Sequence, residues 1–216
     1  MFLINAIYFK GSWRDKFDPA QTRDTPFQAL DGTRQPMKLM HRLGKLSYAE
    51  TPAWQAVDLP YGNSAFSMTV LLPKAGTDFE SVAGSLTPAS WRALTEGMTM
   101  QEVDFSLPKL RLSYERMFND DLKALGMRRP FIPGGADFTR MSTMGNELFI
   151  SFVKQKAFVD INEEGTEAAA VTVVGIGVTS APVVPVMRVD RPYLFAIRER
   201  LTGTLLFVGK IVRMPA

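Results

Sequence analysis

An α+β fold built mostly on antiparallel sheet is predicted for this 216-residue chain by three observations. Strand-forming runs outnumber helical ones, the helical runs do not alternate with strands, and turn signals join neighbouring strands into hairpins. Residues 1–9, Met1-Phe2-Leu3-Ile4-Asn5-Ala6-Ile7-Tyr8-Phe9, are apolar and rich in aromatic and branched side chains, which predicts a buried strand. The run has no basic lead-in and no small-residue cleavage site, so it does not read as a signal peptide. A chain that opens inside a core strand reads as a piece of a longer polypeptide; the alternative is an N-terminal strand tied into a sheet.

Residues 54–60 and 66–72 are short apolar runs separated by Tyr61-Gly62-Asn63-Ser64, a hairpin signal. Thr87 followed by Pro88 marks a helix start, and the helix is expected to run to about Glu96. Val103, Phe105 and Leu107 alternate with polar residues, Pro108 interrupts, and Leu110 and Leu112 resume the alternation. Phe118, Leu122 and Leu125 recur at helical spacing, and Gly126 stops that helix. Residues 147–162 form a long strand candidate, and 193–197 and 204–212 form two more around a Thr202-Gly203 turn. No internal repeat or linker interrupts the chain, which is expected to form a single domain over residues 1–216.

Twenty-five basic against 22 acidic residues leave a formal charge of +3. That small excess, spread along the whole length, does not point to nucleic acid, which requires basic residues massed on one face. The absence of cysteine removes disulfides, thiol nucleophiles and cysteine-ligated metals, and a lone histidine, His41, removes any multi-histidine metal site. No metal or other cofactor is expected.

Nucleophilic catalysis by a serine triad would have to recruit His41, and no nucleophile-elbow motif accompanies it. A surface or strand-end histidine is the expectation. Gly175-Ile176-Gly177-Val178-Thr179-Ser180 begins like a dinucleotide fingerprint but lacks the third glycine, and Pro182 stops the helix that would hold the phosphate. The adjacent acids Asp120-Asp121 and Glu163-Glu164 diverge on any regular element, so they are expected on solvated faces. No catalytic constellation emerges, and the protein is not expected to be an enzyme.

From Ala168 to Met187 there are 20 residues without a charge. Gly175, Gly177, Pro182 and Pro185, with a crowd of valines and threonines and no leucine or phenylalanine, disfavour a membrane helix of that length. As a strand, one face takes Thr166, Ala168, Ala170, Thr172, Val174, Ile176 and Val178, all uncharged. An ordinary sheet strand with a proline-rich exit and a functional exposed segment both fit that pattern.

Asn162-Glu163-Glu164-Gly165-Thr166-Glu167-Ala168-Ala169-Ala170 resembles the reactive-loop hinge of the serpins, protease inhibitors that work by loop insertion. Asn5-Ala6-Ile7-Tyr8-Phe9-Lys10-Gly11-Ser12-Trp13 resembles a central strand of their large sheet and the tryptophan beyond it. Asp58-Leu59-Pro60-Tyr61 and Leu71-Leu72-Pro73 resemble their small-sheet hairpin; Leu107-Pro108-Lys109, Leu125-Gly126-Met127 and Ala136-Asp137-Phe138 also fit. The closing Arg191-Pro192-Tyr193-Leu194-Phe195 with Gly209-Lys210 completes the series. The resemblance runs along the whole chain but takes in only the C-terminal part of the family, so it implies an N-terminally truncated serpin fold: a mixed large sheet, smaller antiparallel sheets and few helices.

The resemblance implies a suicide substrate for a serine protease, which is trapped covalently when the cleaved loop inserts into the large sheet. If the hinge aligns without a gap, the bait bond is Thr179–Ser180, with Val178–Thr179 as the fallback, and the inserted strand is 166–179. At about 3.3 Å per residue that strand spans about 46 Å. Small aliphatic and hydroxyl residues around the bond suit an elastase-like or subtilisin-like target. The hinge comprises Glu163, Glu164, Gly165, Thr166, Glu167, Ala168, Ala169 and Ala170; Asn5, Trp13 and Gln155 fall at the family's shutter and breach. Gln155 stands where the family commonly has a histidine that bonds the asparagine matched by Asn5. The missing N-terminal segment is implied as a further partner, an extracellular location is implied, and neither membrane nor nucleic acid is expected as a partner.

Overall fold

The structure is a computed structural model that describes residues 1–166 and 184–215, with backbone alone at Thr166. In chain order the strands are β1 (Phe2–Tyr8), β2 (Gly11–Ser12), β3 (Arg23–Gln28), β4 (Arg34–Glu50), β5 (Trp54–Tyr61) and β6 (Phe66–Pro73). Two helices follow, α1 (Phe79–Gly84) and α2 (Pro88–Glu96). Then come β7 (Thr99–Pro108), β8 (Leu110–Met117), α3 (Asn119–Ala124), β9 (Phe152–Ile161), β10 (Gly165–Thr166), β11 (Val186–Arg188), β12 (Tyr193–Glu199) and β13 (Leu205–Ile211). The chain divides into two compact units, one of Met1–Phe9 with Arg111–Val159 and one of Lys10–Leu110 with Asp160–Ala216.

In the first unit three strands lie in the order β1-β9-β8. β1 and β9 run parallel with unbroken register from Phe2↔Phe152 to Tyr8↔Phe158. Phe2 stacks on Phe152 at 4.6 Å between ring centroids, and Tyr8 stacks on Phe158 at 5.8 Å. The strand expected over residues 1–9 is there, but it is not buried. It is an edge strand with a partner on one side, and Phe2 and Ile4 are each 65% exposed. The strand expected over 147–162 starts five residues late, at Phe152. Before it the backbone bonds outside the ladder: Ile150 N–H donates to Pro130 O and Ser151 N–H to Met1 O. α3 matches the expected helix, and Asp120 and Asp121 sit in its first turn, where the helix dipole favours them. Asp121 pairs with Arg116 at 2.7 Å and Asp120 with Lys123 at 3.4 Å.

In the second unit the sheet order is β11-β7-β4-β5-β6-β12-β13, with β3 paired to the start of β4. The β5–β6 hairpin falls where the sequence places it, and Gly62 and Ser64 in its turn adopt φ of 42° and 71°. β6 is buried on both faces from Ser67 to Pro73, which explains its near-continuous apolar run. α2 begins as expected: Thr87 accepts from Ser90 N–H, and the Ser90 hydroxyl accepts from Thr87 N–H, a reciprocal cap. Leu94 packs with Ala56, Leu71 and Val82 against the sheet. Asp58, buried in β5, accepts from Thr69 at 2.7 Å on β6 and pairs with Arg198 at 3.2 Å on β12, so one carboxylate ties three strands together.

His41 lies mid-strand in β4 and is half-buried, with Nε2 2.9 Å from the Asp104 carboxylate of β7. It is thus neither at a strand end nor at liberty on the surface. β3, β4 and α1 have no counterpart in the sequence-based expectations. Among the described residues no helix is long and apolar enough to cross a membrane.

Candidate functional site

The second unit gathers the start of the hinge onto the segment that follows β2. β9 ends at Ile161, and the chain then turns tightly at Glu163-Glu164: Asn162 N–H donates to Gly165 O at 3.0 Å, and Gly165 N–H returns to Asn162 O at 3.3 Å. Asn162 Oδ1 also accepts from Glu164 N–H at 3.0 Å, the local side-chain bond that suits asparagine to a turn. Gly165 and Thr166 then pair antiparallel with Ser12 and Gly11 as the two-stranded β10-β2 sheet.

Trp13 is the centre of this anchorage. It is 3% exposed, its Nε1–H donates to Asn162 O at 2.9 Å and its backbone N–H to Glu164 O at 2.9 Å. Its ring stacks on Tyr61 at 4.4 Å and meets the edge of Phe17 at 6.3 Å. A tryptophan buries a large apolar body and leaves one N–H to satisfy; here the hinge backbone satisfies it. Phe17 N–H donates in turn to Glu163 O at 2.9 Å.

Glu163 was expected on a solvated face and is instead buried. Its carboxylate accepts from the Thr22 hydroxyl at 2.7 Å and pairs with Lys109 Nζ at 2.7 Å. A buried carboxylate persists where charge and hydrogen bonds compensate its lost hydration, and these two partners do so. Glu164 points elsewhere, with Lys16 Nζ at 3.9 Å, so the adjacent acids diverge as expected. Burial works to raise the Glu163 carboxyl, but the bonds from Lys109 and Thr22 outweigh it and hold the group below the usual carboxylate range.

A depressed folded value contributes stability above the unfolded value of about 4.3, and that stability is lost as pH falls through the folded value. Hydrogen exchange at residues 162–166 is therefore expected to accelerate between about pH 4.3 and pH 3, ahead of the β5–β6 core. Uniform acceleration over both segments would refute a local role for Glu163.

Gly165 has no freedom to be another residue. Its φ is +133°, and a Cβ built on it would lie 2.3 Å from Gly11 O, 2.5 Å from Ser12 Cα and 2.6 Å from Trp13 N. Backbone crowds it from three sides.

Asn5 and Gln155, the two shutter positions, lie in the first unit as register partners on β1 and β9. Among the described residues no hydrogen bond joins their side chains. Asn5 is exposed and Gln155 half-buried. Glu167, Ala168, Ala169 and Ala170, together with Val178, Thr179 and Ser180, lie outside the described residues. Lys109, Thr22 and Phe17 were not anticipated as site residues, since nothing local in their sequence marks a contact with the hinge. No group of three His, Asp or Glu among the described residues is placed to hold a metal ion.

The family described as Serpin (serine protease inhibitor) matches residues 1–214. Human serpin B11 is 37% identical over 216 residues, which cover 98% of this chain and 55% of that protein. The thermophilic serpin tengpin in its native state superposes with a TM-score of 0.85 at 30% identity, covering 99% of this chain and 55% of that one. Human thyroxine-binding globulin complexed with thyroxine superposes with a TM-score of 0.89 at 28% identity, covering 100% and 56%. The chain belongs to the serpin family and has the serpin fold. It spans about half the length of the curated relatives it matches.

Proposed function

We propose that this protein is an inhibitor of serine proteases that acts as a suicide substrate. One observation carries this proposal: β1 and β9 are parallel neighbours with nothing between them, and the tight turn at Glu163-Glu164 sends the chain back just beyond β9. A strand added between two parallel strands, directly after one of them, must run antiparallel to both, and such a reversal supplies that direction. The uncharged alternation from Thr166 to Val178 suits burial in a sheet, where each charge would cost several kcal/mol.

The protease serine Oγ attacks the carbonyl carbon of Thr179, and the Thr179–Ser180 bond breaks. The nitrogen of Ser180 leaves as an amine carrying the proton relayed by the protease's histidine. Thr179 stays on the enzyme as an ester. Insertion of 166–179 carries the acylated protease away from its ground-state geometry before water can cleave the ester. The chain supplies no catalytic residue; it supplies the bond, the strand and the hinge. Thr179, Val178 and Ile176 on the acyl side favour an elastase-like or subtilisin-like target, and an extracellular setting matches proteases of that kind.

Incubation with such proteases, followed by denaturing gels and mass analysis, is expected to give a band at the summed mass of protease and the 1–179 part. Cutting after Val178 would move the bond by one residue. Clean cutting with no summed band would make the protein a plain substrate and end this proposal.

A further inference from the structure

The far end of the loop is held by different means from the hinge. β11 is three residues long, sits at the end of the eight-stranded sheet and pairs with β7 alone. Its first residue, Val186, lies opposite Asp104, whose backbone N–H donates to Pro185 O at 2.9 Å. The carbonyl of Val186 is taken by a side chain from elsewhere in the sheet: Gln55 Nε2 donates to it at 2.9 Å and to the Tyr48 hydroxyl at 2.7 Å. Tyr48 is buried, and that burial, with Glu50 beside it, pushes its phenol up to about 12. Its hydroxyl is therefore a fixed, neutral acceptor that orients the Gln55 amide. Glu50 is itself held by Lys74 at 2.8 Å.

A strand of three residues paired on one side has few ladder bonds, so one added side-chain bond is a sizeable share of its hold. On the mechanism proposed above, segment 166–179 can join the sheet fully only when its far end is released. Cutting at Thr179 releases it; so would peeling β11 from β7 with the chain intact. We propose that Gln55, oriented by Tyr48, is a positioning residue that keeps β11 on β7 and so makes insertion wait for cleavage. This rests on the inhibitory reading.

The test compares the 216-residue chain with Gln55→Leu, which keeps bulk and loses the donor, and Gln55→Lys, which restores a donor of similar reach. Exchange of backbone amides over 184–189 is followed by mass spectrometry. In parallel, each protein is held at physiological temperature without protease, and the fraction still cleavable in its loop by a subtilisin-like enzyme is followed with time. Gln55→Leu is expected to raise exchange over 184–189 about 3- to 10-fold, the factor one neutral hydrogen bond supplies, and to shorten the cleavable lifetime by a similar factor. Gln55→Lys is expected to restore both. Unchanged exchange in Gln55→Leu would overturn the anchor. So would faster exchange with an unchanged lifetime, or a defect that lysine does not rescue. A wild-type chain that forms no covalent product counts against the inhibitory mechanism alone, because the exchange measurement needs no protease.

Discussion

Gly165→Ala is expected to lower the thermal midpoint by roughly 6–16 °C, the shift that about 3–4 kcal/mol produces in a protein of this size. Two costs combine. A side chain at φ +133° is strained, and the new methyl carbon would overlap the backbone at Gly11, Ser12 and Trp13. Because the atoms in the way are backbone, no rotamer change relieves the overlap. The β10-β2 pair must separate, and the Trp13 N–H bond to Glu164 goes with it. A calorimetric scan of wild type and variant checks this. An unshifted midpoint would mean that the hinge anchorage contributes nothing to the folded state.

Thr166→Arg is expected to leave folding intact and to abolish trapping. Thr166 is the first residue of the proposed inserted strand and pairs with Gly11 across β10-β2 before any insertion. An arginine there would have to enter the sheet with the strand. Desolvating its charge costs several kcal/mol, and each 1.4 kcal/mol slows insertion about tenfold relative to deacylation. Hydrolysis of the ester then wins. Gels of variant and wild type against the same elastase-like protease should show the cut chain at full yield and the covalent band reduced at least about 100-fold. An undiminished band would refute insertion from Thr166 as the trapping step.

The elements most legible in the sequence were those whose cause is local. The hairpin of residues 54–73 and the capped helix starting at Pro88 each carry their own turn or cap, and the structure places both within a residue or two. β4 was not legible because it serves several partners along 17 residues: β3 at its start, β7 through its middle and β5 at its end. Its inward face therefore changes along its length, and no single alternation is written into Arg34–Glu50. The exposure of β1 was misjudged for the complementary reason. An apolar composition predicts a strand, but burial depends on what covers it, and that information lies elsewhere.

The candidate site divides in the same way. The Glu163–Ala170 hinge and Trp13 were legible through a resemblance spread over the whole chain, not through any property of the two segments taken singly. Trp13 and Asn162 meet across 149 residues of sequence, beyond the reach of periodicity. Lys109 and Thr22 reach Glu163 by side chains of ordinary surface types, and Gln55 reaches Val186 from 131 residues away, so nothing in their neighbours announces either contact.

The parallel register of β1 and β9 also governs how the protein is made. Phe2 finds its partner Phe152 only after 150 further residues have been synthesised, about 8–30 s at cellular elongation rates of about 5–20 residues per second. For that interval an apolar strand with Phe2, Leu3, Ile4 and Tyr8 leaves the ribosome with no ladder to join. Parallel pairing across so long a loop is also slow to form once both strands exist. The yield of soluble protein should therefore follow how long the nascent strand is shielded by a chaperone more closely than it follows the stability of the finished fold.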